Sequence, residues 1–310
     1  MVGRVVPLTT SQQTAATAAA AFLAQPSLAR STRRSYDQTL TRLVRELGSD
    51  QPLSTLTVEA ITVAVMTAWG GRAPATWNRQ VATVRSFLAF CRRRRWLVED
   101  LTVDLERRPE PADRTKAIPL PELERLWRRE DVGVREKALW RLLYETAARA
   151  SEALAINVED LDLENKRVRV CSKGGDIDWL HFQSGSARLL PRLIGGRTRG
   201  PLFLADRRPV PARTPATVDR CPETGRARLS YRRAEALFRE ASGGCTLHQL
   251  RHSALTHLAE QNVSLPWLMA KSRHASLRSL QRYARPGAEA VAAMTAATDP
   301  ARRRNLDRLE

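Results

Sequence analysis

A charged, proline-rich stretch divides this chain and limits its fold more than any other feature. Residues 107–119 read "RRPEPADRTKAIP", with three prolines and few side chains that a core would bury. Proline removes a backbone donor and disfavours a helix in the residue before it, so such a run is typical of a linker. The 310 residues leave room for a separate core on each side. We therefore predict an N-terminal domain at 1–105, a linker at 106–118, a second domain at 119–298 and a basic tail at 299–310.

Helical spacing of apolar residues predicts a bundle of short helices in the first domain. One helix is expected between a cap at Ser31 and a stop at Gly48, and its inward-facing residues are Tyr36, Leu40, Leu43, Val44 and Leu47. A second helix precedes the arginine run at 92–95, and its apolar residues alternate steps of four and three: Trp77, Val81, Val84, Leu88 and Cys91. This domain is therefore predicted to be helical.

The second domain is predicted to mix helices with a few short strands. Pro121 suits the first turn of a helix, and "KALWRLLYETAA" has a helical pattern that ends near Arg149. The stretches "LDLENKRVRV" and "IDWLHF" then have the pattern of β-strands, joined by the turn "SKGGD". Residues 207–228 are rich in proline and predict an exposed loop, and the helical pattern returns at Tyr231. The predicted fold class is mainly α with a small antiparallel β-sheet.

The net charge favours a polyanionic partner. Lys and Arg number 51 against 33 Asp and Glu, which gives a formal charge of +18 at pH 7 and makes nucleic acid the first candidate. A membrane surface is the alternative, and we set it aside because no apolar run approaches the roughly 20 residues of a spanning helix. The four cysteines form no C-x-x-C pair, which suits reduced thiols and a cytoplasmic location.

Three of the five histidines lie in the segment "TLHQLRHSALTH", where His248 and His252 are four residues apart and would share one face of a helix. A zinc protease of this spacing needs glutamate in H-E-x-x-H, but Gln249 occupies that place and Arg251 adds a fixed cation. We therefore predict no metal site here. Histidines that bond their neighbours within the helix are the structural alternative.

Cleavage of a phosphodiester without a metal needs cations on the non-bridging oxygens. Arg149 and Arg251 suit this role, because a guanidinium is always charged and can bond two phosphate oxygens at once. Together they would stabilise the charge that develops on a pentacoordinate phosphorus. His248 and His274 are candidates to add hydrogen bonds to the same oxygens.

The same reaction needs a nucleophile and a proton donor for the leaving alcohol. Lys173 lies in the turn "SKGGD", from which a long side chain can reach into a groove and deliver a proton, so it is the candidate acid. Tyr283 is the candidate nucleophile, since a tyrosine hydroxyl becomes reactive when cations and a proton acceptor surround it.

The order and spacing of these residues resemble the tyrosine recombinase (phage integrase) family. Three segments carry the resemblance: "ETAARASEALAINVEDLDL" with Arg149 and Glu152, "TLHQLRHSALTHLAE" with His248 and Arg251, and "LMAKSRHASLRSLQRYARPG" with His274 and Tyr283. The resemblance implies that Glu152 supports the site from behind. It also implies that the first domain is the helical, SAM-like core-binding domain and the second the catalytic domain of such enzymes.

The resemblance further implies an enzyme that cuts and rejoins double-stranded DNA at specific sites, as in DNA integration or excision. The tyrosine of such enzymes forms a 3′-phosphotyrosyl link and releases a 5′-hydroxyl, and a 5′-hydroxyl from another strand then reverses the step. The link retains the phosphodiester energy, so no ATP, metal or other cofactor is expected. A homotetramer on two paired sites is implied as well, whereas accessory DNA-bending proteins are left unidentified.

Two positions depart from the pattern of that family, which commonly has glycine at both. Ala147 stands in the turn before Arg149, and we predict that it makes this turn more helical. Arg273 stands before His274, and we expect arginine to resist the backbone bend that glycine would permit. Neither change removes a group that the chemistry needs.

For several residues, and for the function itself, the sequence leaves a second interpretation open. Six arginines are candidates for contacts with DNA phosphates, although a charge run is more often a solvated face: Arg79, Arg85, Arg92, Arg93, Arg94 and Arg95. His252 either packs within its helix or approaches phosphate, and His181 and His257 are assigned structural roles. Two further functions stay open, namely a type IB topoisomerase and a non-catalytic DNA-binding protein on the same scaffold.

Overall fold

The computed structural model of the protein describes residues 13–111, 117–171 and 177–273, together with Leu280 and residues 295–296. The chain separates into two compact units, residues 1–113 and residues 114–310. Each unit has a hydrophobic core of its own. No helix among the described residues is long and apolar enough to cross a membrane.

Helices make up most of the described part of the N-terminal unit: α1 (Ala15–Leu23), α2 (Arg30–Leu47), α3 (Val58–Trp69) and α4 (Pro74–Arg93). The periodicity predicted for α4 is confirmed, since all five of its predicted apolar positions are buried. Phe22 lies at the centre of the core, where its ring stacks on Tyr36 at 5.6 Å and meets Phe87 and Phe90 edge-on at 5.7 and 5.4 Å. Aromatic pairs in these geometries stabilise a core beyond the area that they bury.

The start of α2 corrects one prediction. The helix ends at Gly48 as predicted, and the positive φ of 93° there favours glycine. The helix begins at Arg30, however, so Ser31 lies within its first turn and does not cap it. The reason is that the amide of Arg33 bonds the carbonyl of Ala29 at 2.9 Å, which closes the first turn upstream of the predicted cap.

Both ends of the proline-rich stretch are held by hydrogen bonds. Asn78 on α4 exchanges two hydrogen bonds with the backbone of Arg108, each 2.8 Å long. The amide of Ile118 donates to the Ser253 hydroxyl at 2.8 Å, and Ile118 is buried in the C-terminal unit. Residues 112–116 of the predicted linker lie outside the described residues.

The described part of the C-terminal unit combines helices with a three-stranded sheet: α5 (Leu120–Arg128), α6 (Val134–Thr146), α7 (Ala150–Ala155), β1 (Leu161–Asp162), β2 (Arg167–Cys171), β3 (Ile177–His181), α8 (Ser184–Ile194), α9 (Tyr231–Ala241), α10 (Leu247–Glu260) and α11 (Leu265–Ser272). The strands are antiparallel in the order β1-β2-β3, with Val168 opposite Leu180. Both side chains are buried against the helices. The predicted fold class, mainly α with a small antiparallel sheet, is confirmed.

Two local features of this unit differ from the sequence prediction. The stretch "LDLENKRVRV" forms two strands, because a turn at 163–166 with Lys166 at φ 50° folds β1 onto β2. The loop predicted at 207–228 is exposed over much of its length, but Cys221 and Arg228 near its end face inward. The Arg228 guanidinium donates to the carbonyls of Leu154 and Ile156 at 3.0 Å each, and these bonds draw the end of the loop onto the core.

Candidate functional site

Arg251 lies inside the C-terminal unit on α10. A capping box starts this helix, in which the Thr246 amide bonds the side-chain oxygen of Gln249 at 2.8 Å. Arg251 follows in the next turn and is 2% exposed. Its guanidinium donates to the carbonyls of Ala147 and Ser272, the second at 2.6 Å. A buried charge requires such partners, so the fold itself fixes the position of this cation.

The two carbonyls that hold Arg251 belong to left-handed helix ends. Ala147 directly follows α6 and has a φ of 51°, and Arg273 directly follows Ser272, the last residue of α11, and has a φ of 53°. The prediction that Ala147 makes this turn more helical is therefore wrong, and Arg273 adopts the bend in spite of the cost expected for arginine. An L side chain costs about 1–2 kcal/mol in this conformation. A hydrogen bond to a charged group contributes about 1.5–3 kcal/mol, so the Arg251 bonds offset the strain.

A small apolar cluster explains why alanine suits the first of these turns. The methyl group of Ala147 is fully buried beside Ala254 and Leu255 of α10 and Leu268 of α11. Leu280 completes the buried part of the cluster. A glycine at the turn would have no side chain to contribute to this packing, whereas the alanine methyl fills the position.

Glu152 connects the two other arginines of the site. Arg149 is the residue that precedes α7, and Glu152 accepts from its amide at 3.0 Å and from its guanidinium at 2.9 Å. The same carboxylate accepts from the guanidinium of Arg273. Burial alone would raise the pKa of Glu152, but the bonds from Arg149 and the charge of Arg273 hold this pKa below its ordinary value of 4.5. The carboxylate therefore stays ionised at neutral pH and orients both cations.

The exposure of the two principal arginines differs. The side chain of Arg149 is 47% exposed, whereas that of Glu152 behind it is 13% exposed. Arg251 bonds the carbonyl of Ala147, two residues before Arg149, so both guanidinium groups are held at the same turn of the chain. One cation is thus built into the interior, and the other is open to an anionic ligand.

The histidines of α10 occupy different environments. His248 is exposed, one turn before Arg251, and His252 is half-buried. His257 is buried, and its Nδ1 lies 2.9 Å from the hydroxyl of Tyr144. Burial lowers the pKa of His257 and raises that of Tyr144. Both groups are consequently neutral at physiological pH, in agreement with a structural role for His257.

Three predicted site residues, Lys173, His274 and Tyr283, lie outside the described residues. Lys173 belongs to the five residues that join β2 to β3, and His274 directly follows Arg273. Of the predicted site residues that the structure describes, it brings together Arg149, Glu152 and the turn that holds Arg251. No group of three or more metal-ligating side chains is found in the described ranges.

The six candidate DNA-binding arginines of the N-terminal unit are exposed on or just after α4. Two of them have partners within their own unit, since Arg85 donates to the carbonyl of Leu105 at 2.6 Å and Arg92 pairs with Asp100 at 3.1 Å. Arg94 lies over the ring of Phe90 at 5.4 Å. These three side chains therefore contribute to the packing of the unit as well as to its charge.

Sequence reasoning missed the part that Arg273 plays. It treated this residue as a missing glycine, whereas the side chain is a partner of Glu152 and is 14% exposed. The sequence offered one indication of this pair: Arg273 is a cation where the family commonly has glycine, and Glu152 is an acidic residue of the same predicted site. The two partners are 121 positions apart in the chain, so their spacing did not indicate the contact.

The geometry agrees with what comparison with known proteins finds. The model of the phage integrase family matches residues 119–289, and that of the phage integrase N-terminal SAM-like domain matches residues 20–95. The chain is 31% identical over 264 residues to tyrosine recombinase XerC of Rhodospirillum centenum, a match that covers 79% of this chain and 74% of that protein. It is 28% identical over 258 residues to tyrosine recombinase XerC of Mycobacterium tuberculosis, which covers 73% of this chain and 79% of that protein.

Solved structures share the fold. The Tn1549 transposon integrase in complex with a circular intermediate DNA matches with a TM-score of 0.68 at 13% identity, over 92% of this chain and 99% of that one. A lambda integrase dimer bound to a COC′ core site matches with a TM-score of 0.67 at 16% identity, over 89% of this chain and 78% of that one. The chain belongs to the phage integrase family of tyrosine recombinases, which are site-specific DNA recombinases. The predicted family and enzyme class are confirmed.

Proposed function

We propose that this enzyme cleaves and rejoins double-stranded DNA at specific sites through a covalent bond to Tyr283. The observation that carries the proposal is the fixed arginine pair, with Arg251 held by two carbonyls and Arg149 by Glu152. Arginines held in this way are suited to the charge of a pentacoordinate phosphorus, because they need no rearrangement as the charge develops. The formal charge of +18 favours DNA as the partner.

The cleavage step follows from the roles of the residues. The Tyr283 oxygen attacks phosphorus as its proton passes to a neighbouring histidine, and the bond from phosphorus to the 5′-oxygen breaks. Lys173 supplies the proton that the leaving 5′-oxygen takes up, which yields a 3′-phosphotyrosyl link and a 5′-hydroxyl. His248 and His274 donate hydrogen bonds to the non-bridging oxygens alongside the arginines. A 5′-hydroxyl of another strand then attacks the link, so the cycle needs no external energy source.

The arrangement of the whole chain follows the same proposal. Residues 1–105 act as the core-binding domain, 106–118 as the linker, 119–298 as the catalytic domain and 299–310 as a basic tail. Assembly as a homotetramer on two paired sites would bring two duplexes together for strand exchange. We place this activity in the cytoplasm, where the four cysteines would stay reduced.

The other functions are separable by experiment. A type IB topoisomerase would relax plasmids that lack any special site, whereas a recombinase needs its own target. A non-catalytic DNA-binding protein would show the same salt-dependent affinity but no covalent product. The family match favours the recombinase over the topoisomerase, and the arginine pair favours an enzyme over a non-catalytic binding protein.

The test is an assay for a protein-DNA adduct that survives SDS. Pooled labelled fragments from around the protein's own gene would be incubated with wild type, with Tyr283→Phe, and with Tyr231→Phe as a control at an exposed tyrosine of α9. We expect an adduct with wild type and Tyr231→Phe that protease destroys, and none with Tyr283→Phe. An adduct that persists in Tyr283→Phe would refute the nucleophile, and relaxation of every plasmid would favour the topoisomerase.

A further inference from the structure

An arginine occupies the turn directly before His274, where its conformation is unfavourable. Arg273 directly follows α11 and has a φ of 53°, in the left-handed region that glycine adopts without strain. The side chain is 14% exposed, so it is largely removed from water. An arginine held in a strained turn and largely buried needs an interaction that retains it there.

The contacts of Arg273 identify that interaction. Its Nη2 donates to Oε2 of Glu152, and the Glu152 side chain is 13% exposed. The other two donor atoms of the guanidinium, Nε and Nη1, are buried and have no hydrogen-bond partner among the described residues. The side chain therefore does not hold the fold together through several hydrogen bonds. Among the described residues, its polar partner is the carboxylate that also holds Arg149.

The hydrogen bonds of the two Glu152 oxygens explain what Arg273 adds. Oε1 of Glu152 accepts from the Arg149 guanidinium, while Oε2 accepts from the Arg149 amide and from Arg273. A carboxylate with only Arg149 beside it would cancel the charge of that arginine. With Arg273 added, the three ionised groups carry a net charge of +1, and the carboxylate is held from both sides.

We propose that Arg273 is a positioning residue for DNA cleavage, which acts through Glu152 to orient the Arg149 guanidinium and to keep the site positive toward a phosphate. This inference rests on the proposed function, since it assigns a role in the same reaction. Arg273 does not itself have to contact the substrate. Loss of Arg273 should therefore lower the cleavage rate and leave the affinity for DNA nearly unchanged. The reason is that Arg149 must be oriented at the moment when charge develops on phosphorus.

Three substitutions at this turn separate charge from backbone conformation. Arg273→Gly removes the cation and relieves the turn, Arg273→Asn removes the cation with a residue that tolerates the turn, and Arg273→Lys keeps a cation. The measurement is the single-turnover rate of adduct formation on the target fragment at saturating enzyme, beside the Kd for the same fragment. We expect the Gly and Asn variants to slow the step roughly tenfold to a hundredfold, with Kd changed less than about threefold. The Lys variant should recover part of the rate.

A double substitution tests the route through Glu152. We expect Arg273→Gly to have little further effect in a Glu152→Gln background, because the carboxylate that transmits its influence is gone. Thermal unfolding of each variant reports whether a lower rate reflects a loss of folded enzyme. A wild-type rate in Arg273→Gly, or rate losses that multiply in full in the double variant, would overturn the role of Arg273. Failure of the wild type itself to form an adduct would instead overturn the proposed function.

Discussion

The two units of the molecule bury different kinds of polar side chain. In the described part of the N-terminal unit, the fully buried polar residues are all neutral: Thr39, Asn78, Thr83 and Thr102. The described part of the C-terminal unit buries ionisable groups, namely Glu145, Arg251 and His257. Burial of a charge is unfavourable unless the charge is paired, so it is not expected where stability alone is required.

This difference in buried polar groups shows which part of the fold positions its side chains by directional bonds. The N-terminal core is held by aromatic contacts around Phe22, which involve no charged group. In the C-terminal unit, Arg251 joins the ends of α6 and α11, and Glu152 joins Arg149 to Arg273. Each of these bonds fixes a direction as well as a distance. The buried charges therefore mark the part of the molecule in which geometry must be exact for chemistry.

The largest expected effect follows from removal of the buried cation. Arg251→Leu should lower the cleavage rate by about 10²–10³-fold or more, as the loss of a charge-stabilising donor does elsewhere. It should also destabilise the C-terminal unit by about 2–6 kcal/mol, because the buried carbonyls of Ala147 and Ser272 each lose a donor, at about 1–3 kcal/mol per carbonyl. Adduct formation and urea unfolding measure the two effects.

A matched change in the N-terminal unit sharpens this contrast. Asn78→Leu removes a neutral buried partner of the Arg108 backbone, and we expect a loss of about 1–3 kcal/mol. The catalytic step on bound DNA should be nearly unchanged. Equal losses of cleavage rate in Asn78→Leu and Arg251→Leu would show that the two kinds of burial do not differ in function.

Thiol reactivity compares the interior of the N-terminal unit with the surface of the C-terminal unit. Burial raises the pKa of Cys91, in the N-terminal core, to about 12, whereas Cys171 is exposed on β2. We expect Cys91 to react with iodoacetamide at pH 8 at least about a hundredfold more slowly than Cys171, because the thiolate is the reactive form. Mass spectrometry of the alkylated peptides over time measures both rates. Similar rates would contradict a closed N-terminal core.

The acid stability of the C-terminal unit should depend on Glu152. A carboxyl group with a lower pKa in the folded than in the unfolded state binds fewer protons when folded, so its stabilisation is complete above the ordinary value of 4.5 and is lost as pH falls through the folded value. Glu152→Gln should therefore flatten the decline of unfolding free energy below about pH 4.5. The exposed Asp100 of the N-terminal unit is the control, and Asp100→Asn should change this decline less.

The smallest effect is expected at the turn after α6. Ala147→Gly relieves the left-handed strain but loses the packing of a methyl group and adds freedom to the unfolded chain, so the unfolding free energy should change by less than about 1 kcal/mol. Ala147→Val should destabilise the unit by about 2 kcal/mol or more, since a branched side chain fits neither the conformation nor the cluster. A stable valine variant would contradict the φ of 51°.

The features that sequence predicted well are local ones. The helical spacing in α4 and the strand pairs of β2 and β3 depend on residues that are neighbours in the chain. The start of α2 was missed because a backbone bond from Arg33 to Ala29 closed the turn where no capping side chain stands. Sequence indicates which residues favour a cap, but not which carbonyl a helix uses first.

The conformations of Ala147 and Arg273 could not be predicted from their own residue types. Local preference disfavours the left-handed region at both positions, and the buried guanidinium of Arg251 overrides that preference at each turn. The pairing of Arg273 with Glu152 spans 121 residues of chain. A prediction of either feature needs the packing of α6, α10 and α11, which only the folded structure provides.

The most direct test of the account is to locate the covalent bond itself. The adduct would be formed on the target fragment, the DNA trimmed with nuclease, and the protein digested with trypsin for mass spectrometry. The tryptic peptide that holds Tyr283 has no other tyrosine, so a nucleotide on it can be assigned by fragmentation. The account predicts a nucleotide joined to the Tyr283 oxygen. A nucleotide on Tyr36, Tyr144, Tyr231 or a serine would contradict it.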